Sequence, residues 1–198
     1  MSVFNLMEQN ANLDSKIVAG LERISQVFKT LLWEKSKQYN LSPIQIQLLI
    51  FINYHSQNKT TVSYLAQEFN VTKPTISDTI KILQQKAFIE KIIDKVDTRS
   101  YTIKLTTAGK EIVSKTENFA NPLTKIISKS ESLEKSILWK NISEMIIQLN
   151  NSQIITVQRT CFNCKHFSKN DKIPFCNLLN QRLKTDEIRI DCAEFYLK

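Results

Sequence analysis

The residues with the clearest chemical potential are four cysteines near the C-terminal end of the chain. They are the only cysteines in 198 residues, and all of them fall within one 32-residue window. Cys161 and Cys164 form a CxxC pair, Cys176 follows after eleven intervening residues, and Cys192 after fifteen more. A CxxC turn lets two thiolates converge on one ion, and two further thiolates complete a tetrahedron. The spacing therefore predicts a four-thiolate metal site.

Three chemistries stay open for these cysteines. A structural zinc ion is the favoured interpretation, but an iron–sulfur cluster can use the same four-thiolate ligation, and the spacing does not decide between them. A metal-free thiol switch that joins Cys161 and Cys164 in a disulfide is the third. His166 follows the CxxC pair closely, but with four cysteines present we expect it to be a surface residue.

The segment around the cysteines contains too few apolar side chains for an independent fold of its size. We expect a metal ion to stabilise this segment and its minimal core. The apolar residues expected in that core are Phe162, Phe167, Phe175, Leu178, Leu179 and Ile190.

A second candidate site lies between residues 61 and 109, where the pattern is helix, tight turn, helix and two-stranded hairpin with a basic tip. Thr61 is expected to cap a helix over Val62–Phe69, and Asn70 to supply the left-handed turn residue. The next helix begins after Thr72. This is the layout of a winged helix-turn-helix, which places one helix in a DNA groove.

The helix after Thr72 is predicted to bury one face and to present the other to DNA. Short polar side chains near its N-terminus reach base edges and phosphates, and positive charges hold the backbone. Thr75 and Ser77 fit the first role, and Lys73 and Lys81 the second. A solvated helix face is the alternative interpretation of the two lysines. The residues expected to face the core are Ile76, Ile80 and Leu83.

The hairpin is predicted from strict alternation in its second strand. Tyr101, Ile103 and Leu105 alternate with polar residues, which is the period of a half-buried strand. Its partner strand is expected within residues 88–96, and residues 97–100 form the tip.

At this hairpin the sequence resembles the MarR family of bacterial transcriptional regulators. Asp97-x-Arg99, followed by Leu105, Thr106 and Gly109, is similar to the wing signature of that family. The segment Val71-Thr72-Lys73-Pro74-Thr75-Ile76-Ser77 is similar to the start of its recognition helix. The resemblance covers roughly residues 12 to 150.

The resemblance implies a homodimer whose terminal helices interleave and whose two winged domains bind a palindromic operator in double-stranded DNA. It implies that Arg99 enters the minor groove, where negative potential is concentrated, and that Asp97 orients this arginine. It also implies repression relieved by a small-molecule effector or by oxidation. The pocket is expected between the dimer lobe and the winged domain; Phe28, Trp33 and Tyr54 could line it, but plain core positions are the favoured interpretation for all three.

Two features depart from the family pattern. Pro122 falls where the family has one long helix, so a helix that starts near Thr107 must kink or end there. The four-cysteine tail lies outside the common pattern.

The remaining elements are helices that would position these sites. Apolar residues every three or four positions between Asp14 and Tyr39 predict a long amphipathic helix. Ser42 and Gln45 predict a capping box at the start of the next helix, and residues 130–149 predict another helix. The apolar stripe of the long helix comprises Ile17, Leu21, Ile24, Phe28 and Leu31.

These elements define a mainly α fold with a small β-hairpin wing. We expect an N-terminal dimerisation helix over 1–40 and a winged helix-turn-helix DNA-binding domain over 41–109. Dimerisation helices over 110–152 complete a helical lobe, and a small metal-stapled module occupies 153–198.

Composition excludes several other classes. The net charge of +8 and the pI near 9.3 favour an anionic partner. With only two glycines, a mostly β protein or a phosphate-cradling loop is disfavoured. No apolar run approaches the roughly 18 residues of a membrane-spanning helix, and the polar N-terminus differs from a signal peptide. We therefore expect a cytoplasmic protein with no membrane partner.

The favoured function is a dimeric, sequence-specific transcriptional regulator, a repressor rather than an enzyme. An iron–sulfur or thiol redox-sensing regulator is the nearest alternative. Two alternatives of other classes are a thiol enzyme on a winged-helix scaffold and a protein-interaction adaptor. DNA binding would show a steep salt dependence, whereas adaptor binding would not.

Overall fold

The computed structural model describes residues 2–93, 101–157, 159–170 and 173–198. The chain is mainly helical with a small antiparallel hairpin, as predicted. The helices are α1 Leu6–Ala11, α2 Leu13–Tyr39, α3 Pro43–Tyr54, α4 Val62–Glu68, α5 Lys73–Gln85, α6 Thr107–Thr116, α7 Asn121–Ile127 and α8 Ser132–Asn151. The strands are β1 Ile89–Ile93, β2 Tyr101–Leu105, β3 Phe167–Asn170, β4 Ile173–Cys176 and β5 Gln181–Arg182.

The starts of α3, α4 and α5 follow from capping residues that satisfy the free N–H groups of a first turn. Ser42 and Gln45 form the predicted capping box, and the Thr61 and Thr72 side chains accept from backbone N–H groups three residues on. Asn70 adopts the left-handed conformation, with φ of 50°. These caps fix where α5 begins and therefore which of its residues face outward.

The core lies within the winged helix-turn-helix. Helices α3, α4, α5 and α6 contribute to it with β1 and β2, and α2 adds Leu32. The large apolar residues with less than 2% of their surface exposed are Ile46, Leu48, Leu49, Leu65, Ile76, Ile80, Leu83, Ile103 and Val113.

Strands β1 and β2 pair in antiparallel register, from Ile89 opposite Leu105 to Ile93 opposite Tyr101. The buried hydroxyl of Thr60 fixes the other side of β2. It lies 2.8 Å from the carbonyl oxygen of Ile103 and accepts from the Ile103 N–H at 3.1 Å. A side chain therefore satisfies both backbone groups of Ile103.

Gly109 packs α6 closely against the start of the hairpin. A Cβ atom at this position would lie 2.0 Å from the carbonyl oxygen of Phe88. Since that oxygen belongs to the backbone, no rotation of a side chain relieves the clash. Only glycine fits this approach of α6 to the strand.

The helices outside this core keep apolar surface exposed. Ile17, Leu21, Ile24 and Phe28 on the predicted α2 stripe each leave 42–48% of their surface accessible. All residues of α8 are half-buried or exposed, and Leu138 and Leu149 carry 46% and 41% exposed surface. Pro122 lies in the first turn of α7, after α6 has ended at Thr116. The predicted interruption near Pro122 is therefore present.

The C-terminal module, residues 153–198, contains a three-stranded antiparallel sheet in the order β3-β4-β5. Among the described residues of the module, the buried apolar ones are Cys164, Phe167, Leu183 and Ile188, with Phe162 packed against them. The expectation that Leu178, Leu179 and Ile190 belong to this core is wrong, because their exposed fractions are 42–48%. Leu178 and Leu179 lie in the turn between β4 and β5, where they line the cavity beside the cysteines and stay about half exposed.

Among the residues that the structure describes, none belongs to a helix long and apolar enough to cross a lipid bilayer.

Candidate DNA-binding surface and cysteine cluster

Helix α5 presents its polar residues outward, as the sequence predicts. Thr79, Ile76, Ile80 and Leu83 are buried on one side. The four candidate DNA-binding residues of this helix are all exposed: Lys73, Thr75, Ser77 and Lys81.

Three of these residues form a continuous stripe. Lys73, Ser77 and Lys81 recur every fourth residue, so they lie on one face of the helix; we call them the α5 stripe. Thr75 lies at the N-terminal end on a different side, with its hydroxyl 2.8 Å from that of the capping residue Thr72. The start of α5 therefore carries Lys73, three hydroxyl groups and the free N–H groups of a helix N-terminus, and Lys81 lies two turns further along the same face. These are the groups that bind phosphates and base edges.

The two wing-tip residues, Asp97 and Arg99, lie outside the described residues. Their roles stay predictions. The hairpin that leads to them is described on both sides, from Ile89 to Ile93 and from Tyr101 to Leu105.

A groove of about 750 Å³ opens between α2, α3 and the turn that follows α6. Phe28 and Trp33 line it, together with Phe119, in accordance with the pocket expected from the resemblance. Tyr54 is not one of its lining residues. Its hydroxyl donates to a carboxylate oxygen of Glu117 instead, at 2.5 Å.

The four cysteines, which we call the cysteine cluster, line one cavity of about 40 Å³ in the C-terminal module. Each is a free thiol. Cys161 lies in a short 3-10 turn capped by Thr160, and Cys176 ends β4. The described residues hold no group of three or more His, Cys, Asp or Glu side chains that meets metal-ligand geometry as placed. The structure thus places the four predicted ligands around one cavity, but their sulfur atoms do not converge at metal-binding distance.

Two N–H groups of Arg189 face this cluster. Its backbone N–H donates to the sulfur of Cys161 at 3.3 Å, and its guanidinium to that of Cys192 at 3.6 Å. Burial raises the pKa of the Cys161 thiol, and the backbone hydrogen bond from Arg189 opposes that shift. His166 also lines the cavity and is half-buried, so it is less exposed than expected.

A cluster of charges that the sequence analysis missed joins the C-terminal module to the winged helix-turn-helix. We call Arg159, Tyr64, Glu68, Asp191 and His55 the Arg159 network. The Arg159 side chain is 8% exposed and lies between the two carboxylates. Its guanidinium donates to both oxygens of Glu68, at 2.6 and 3.1 Å, and to both oxygens of Asp191, at 2.5 and 2.8 Å.

Tyr64 and His55 complete the network. Arg159 donates to the Tyr64 hydroxyl at 2.9 Å, and Nε2 of His55 lies 2.7 Å from Asp191. Burial by itself would raise the pKa of the Asp191 carboxyl. The hydrogen bonds from Arg159 and His55 outweigh burial and hold that pKa well below its usual range. His55 is the C-terminal capping residue of α3, and its Nδ1 lies 2.9 Å from the Phe51 carbonyl oxygen at the C-terminus of that helix.

The module also contacts α8. The indole N–H of Trp139 donates to the carbonyl oxygen of Thr185 at 3.0 Å, and Asn163 donates to Asn150 at 2.9 Å. The C-terminal module therefore touches both the helix-turn-helix and the last helix of the lobe.

Comparison with known proteins gives a consistent result. A family model described as MarR family matches residues 39–100. The HTH-type transcriptional regulator BilQ of Clostridioides difficile (strain CD3) is 30% identical over 107 residues, which are 54% of this chain and 71% of that protein. The S. aureus MepR–DNA complex is 26% identical, covers 67% of this chain and 97% of MepR, and superposes with a TM-score of 0.59. FabT of Streptococcus pneumoniae in complex with DNA shares the fold at 21% identity, with 69% of this chain and 96% of FabT covered and a TM-score of 0.58.

Proposed function

The chain belongs to the MarR family, and from this premise we propose that it is a dimeric, sequence-specific DNA-binding regulator that represses transcription. The observation that carries the proposal is the exposed face of α5, where the capped helix start presents hydroxyl groups and Lys73, and Lys81 follows two turns later. The similarity to MepR, which was solved bound to DNA, supports the same role for this helix.

The DNA contacts divide between α5 and the wing. Lys73 and Lys81 hold phosphates, and Thr75 and Ser77 reach phosphates and base edges in the major groove. Arg99 enters the adjacent minor groove, with Asp97 orienting its guanidinium. The lysines set affinity, whereas the groove contacts set sequence preference.

The dimer is supported by the apolar surface that a single chain leaves exposed on α2 and α8. Contiguous apolar patches of this kind mark protein–protein contacts. A two-fold dimer matches a palindromic operator with half-sites about 34 Å apart. Sedimentation equilibrium tests this state directly: a dimer supports the proposal, and a stable monomer at operator-binding concentrations contradicts it.

The test of DNA binding uses a duplex selected from random sequences by the full-length protein. Fluorescence anisotropy at moderate salt then compares Arg99→Ala and Lys73→Ala with Lys129→Ala, which removes an equal charge from the exposed start of the α7–α8 connection. We expect Arg99→Ala to weaken operator binding by about 1–3 kcal/mol. Lys73→Ala should weaken specific and non-specific binding alike and reduce the salt slope by about 1.

Lys129→Ala should change neither affinity nor salt slope. Affinities of Arg99→Ala and Lys73→Ala that equal that of Lys129→Ala would remove the assignment of these residues. Binding that does not respond to salt would favour the protein-interaction adaptor instead.

The cysteine cluster is proposed to hold a structural zinc ion. Four thiolates are a donor set typical of structural zinc, and N–H groups of Arg189 face two of the sulfurs. A cavity of about 40 Å³ suits a single ion, whereas an organic ligand needs several hundred Å³. Binding requires the thiol groups to turn toward the cavity centre. The zinc would then stabilise the module, because its four ligands come from segments that are far apart in sequence.

Metal analysis with an absorption spectrum of anaerobically purified protein tests this site. Colourless protein with one zinc per chain supports the proposal. Brown protein that contains iron and acid-labile sulfide would replace zinc with an iron–sulfur cluster and make the module a redox sensor. Protein without metal would point to the thiol switch.

A further inference from the structure

We infer that metal binding by the cysteine cluster and docking of the C-terminal module onto α4 are coupled, with Arg159 as the positioning residue that connects them. The inference rests on the zinc site proposed above. It adds a regulatory link between that site and the DNA-binding helices.

The first step is the contact between the module and α4. One guanidinium makes two-pronged contacts with Glu68 on α4 and with Asp191 in the module, and a third contact with the Tyr64 hydroxyl on α4. Such two-pronged contacts are directional as well as strong. Because the Arg159 side chain is only 8% exposed, both carboxylates are needed to balance its buried positive charge. A shift of Asp191 or of the backbone at Arg159 disturbs the contact with α4.

The second step connects Arg159 and Asp191 to the cysteines. Arg159 lies two residues before Cys161, and Asp191 lies directly before Cys192. The two segments run side by side: the Cys192 N–H donates to the Arg159 carbonyl at 3.2 Å, and the Cys161 N–H to the Arg189 carbonyl at 3.2 Å. An ion held by Cys161 and Cys192 therefore fixes the same backbone pairing that aligns Arg159 with Asp191.

The third step leads from α4 to DNA. Helix α4 is the first helix of the helix-turn-helix and packs on α5. Its buried Leu65 and Ala66 belong to the same core as Ile76 and Ile80 of α5. The Thr156 hydroxyl adds a second contact from the module, since it donates to the Gln67 carbonyl at 3.2 Å near the end of α4. A docked module therefore supports the helix that positions α5.

Coupling of this kind is reciprocal. If zinc strengthens docking by some factor, docking strengthens zinc binding by the same factor. Weakening the contact on the α4 side should therefore lower zinc affinity, although α4 contains no ligand. A purely structural role for the α4 contact would leave zinc affinity unchanged.

The deciding variant is Glu68→Gln in the full-length protein, compared with Glu111→Gln. Both remove one carboxylate from a helix outside the module, and Glu111 is exposed on α6. Zinc affinity is measured by competition with a coloured chelator. We expect Glu68→Gln to bind zinc about tenfold more weakly than wild type, in the range found for residues that support metal ligands. Glu111→Gln should match wild type.

Amide hydrogen exchange of the Val62–Glu68 peptide gives the reciprocal measurement. Removal of zinc from wild type with EDTA should raise exchange in α4, because an undocked module no longer supports this helix. In Glu68→Gln the exchange of α4 should already be raised and should respond little to EDTA. Arg159→Gln should behave as Glu68→Gln does, with Arg182→Gln, exposed on β5, as its control.

Equal zinc affinities of Glu68→Gln and Glu111→Gln, or α4 exchange that ignores EDTA, would overturn the coupling and leave the zinc site intact. Wild-type protein that binds no zinc would overturn both proposals. Metal content measured first separates these two failures.

Discussion

Ile46, Leu65 and Ile76 in the winged helix-turn-helix have no accessible surface, whereas the most buried apolar side chains of the C-terminal module keep 6–8% of theirs. The first region collects its core from five helices and two strands. The described part of the second has four buried apolar residues, one of them a cysteine of the cluster. Burial of apolar surface can therefore hold the helix-turn-helix together, but it cannot hold the module. With the proposed zinc ion bound, the module would depend on the metal and on its contacts with α4 and α8, and it would be the region that responds to a change in metal.

The largest expected effect comes from disrupting the cysteine cluster. Replacing Cys161 and Cys164 by serine should unfold the module, because the remaining core is too small to replace the lost metal. Limited proteolysis should then cleave within residues 153–198 while the peptides of α3 to α6 stay protected. Removing zinc from wild type with EDTA should do the same, and added zinc should restore protection. A module that resists protease in the double variant would show that its fold needs no metal.

Two Leu→Ala substitutions compare a buried leucine of the helix-turn-helix with an exposed leucine of the module. Leu49→Ala should lower the free energy of unfolding by about 2–5 kcal/mol, because it leaves a cavity in a fully buried site. Leu178→Ala, at a position that is 48% exposed, should change it by less than about 0.5 kcal/mol. Urea unfolding followed by circular dichroism measures both. Equal losses would show that Leu178 is buried in the folded protein and belongs to a core of the module.

The glycines give the smallest expected effect and test how closely the helix-turn-helix is packed. Gly109→Ala should destabilise by about 1–3 kcal/mol, since the new methyl group meets the Phe88 carbonyl. Gly20→Ala, on α2 with no atom within 4 Å of the new carbon, should stabilise by about 0.5–1 kcal/mol. Thermal unfolding of the two variants should shift in opposite directions. Shifts in the same direction would mean that the backbone around Gly109 can move.

What the sequence predicted correctly was local. The caps at Ser42, Thr61 and Thr72 act on N–H groups three residues away, so neighbouring residues contain all the information needed. The same is true of Asn70 and of the alternation in β2. The exposed residues of α5 followed from its period once its start was fixed.

What the sequence could not predict depends on contacts between distant segments. The three residues that Arg159 binds are 32, 91 and 95 positions away, and no periodic pattern connects them. The prediction of the module core was partly wrong for a similar reason. Leu178 and Leu179 are as apolar as Leu183, but they lie in the turn between β4 and β5 and are exposed, whereas Leu183 follows β5 and is buried. The nearness of Arg159 and Asp191 to cysteines was the one signal available, and it becomes informative only when the pairing of their segments is known.

The contact between Thr60 and Ile103 determines which residues a related protein can carry at position 60. The Thr60 hydroxyl oxygen accepts from the Ile103 N–H and lies 2.8 Å from the carbonyl oxygens of both Ile103 and Gln57, which share its one hydrogen. Valine has nearly the same shape and serine a different one, so a comparison based on side-chain volume ranks the two substitutions in the wrong order. Serine keeps the oxygen, whereas valine leaves a buried N–H and carbonyl without partners. We expect a relative with valine at this position to carry a second change, either a third strand beside β2 or another polar side chain that bonds to the backbone of Ile103.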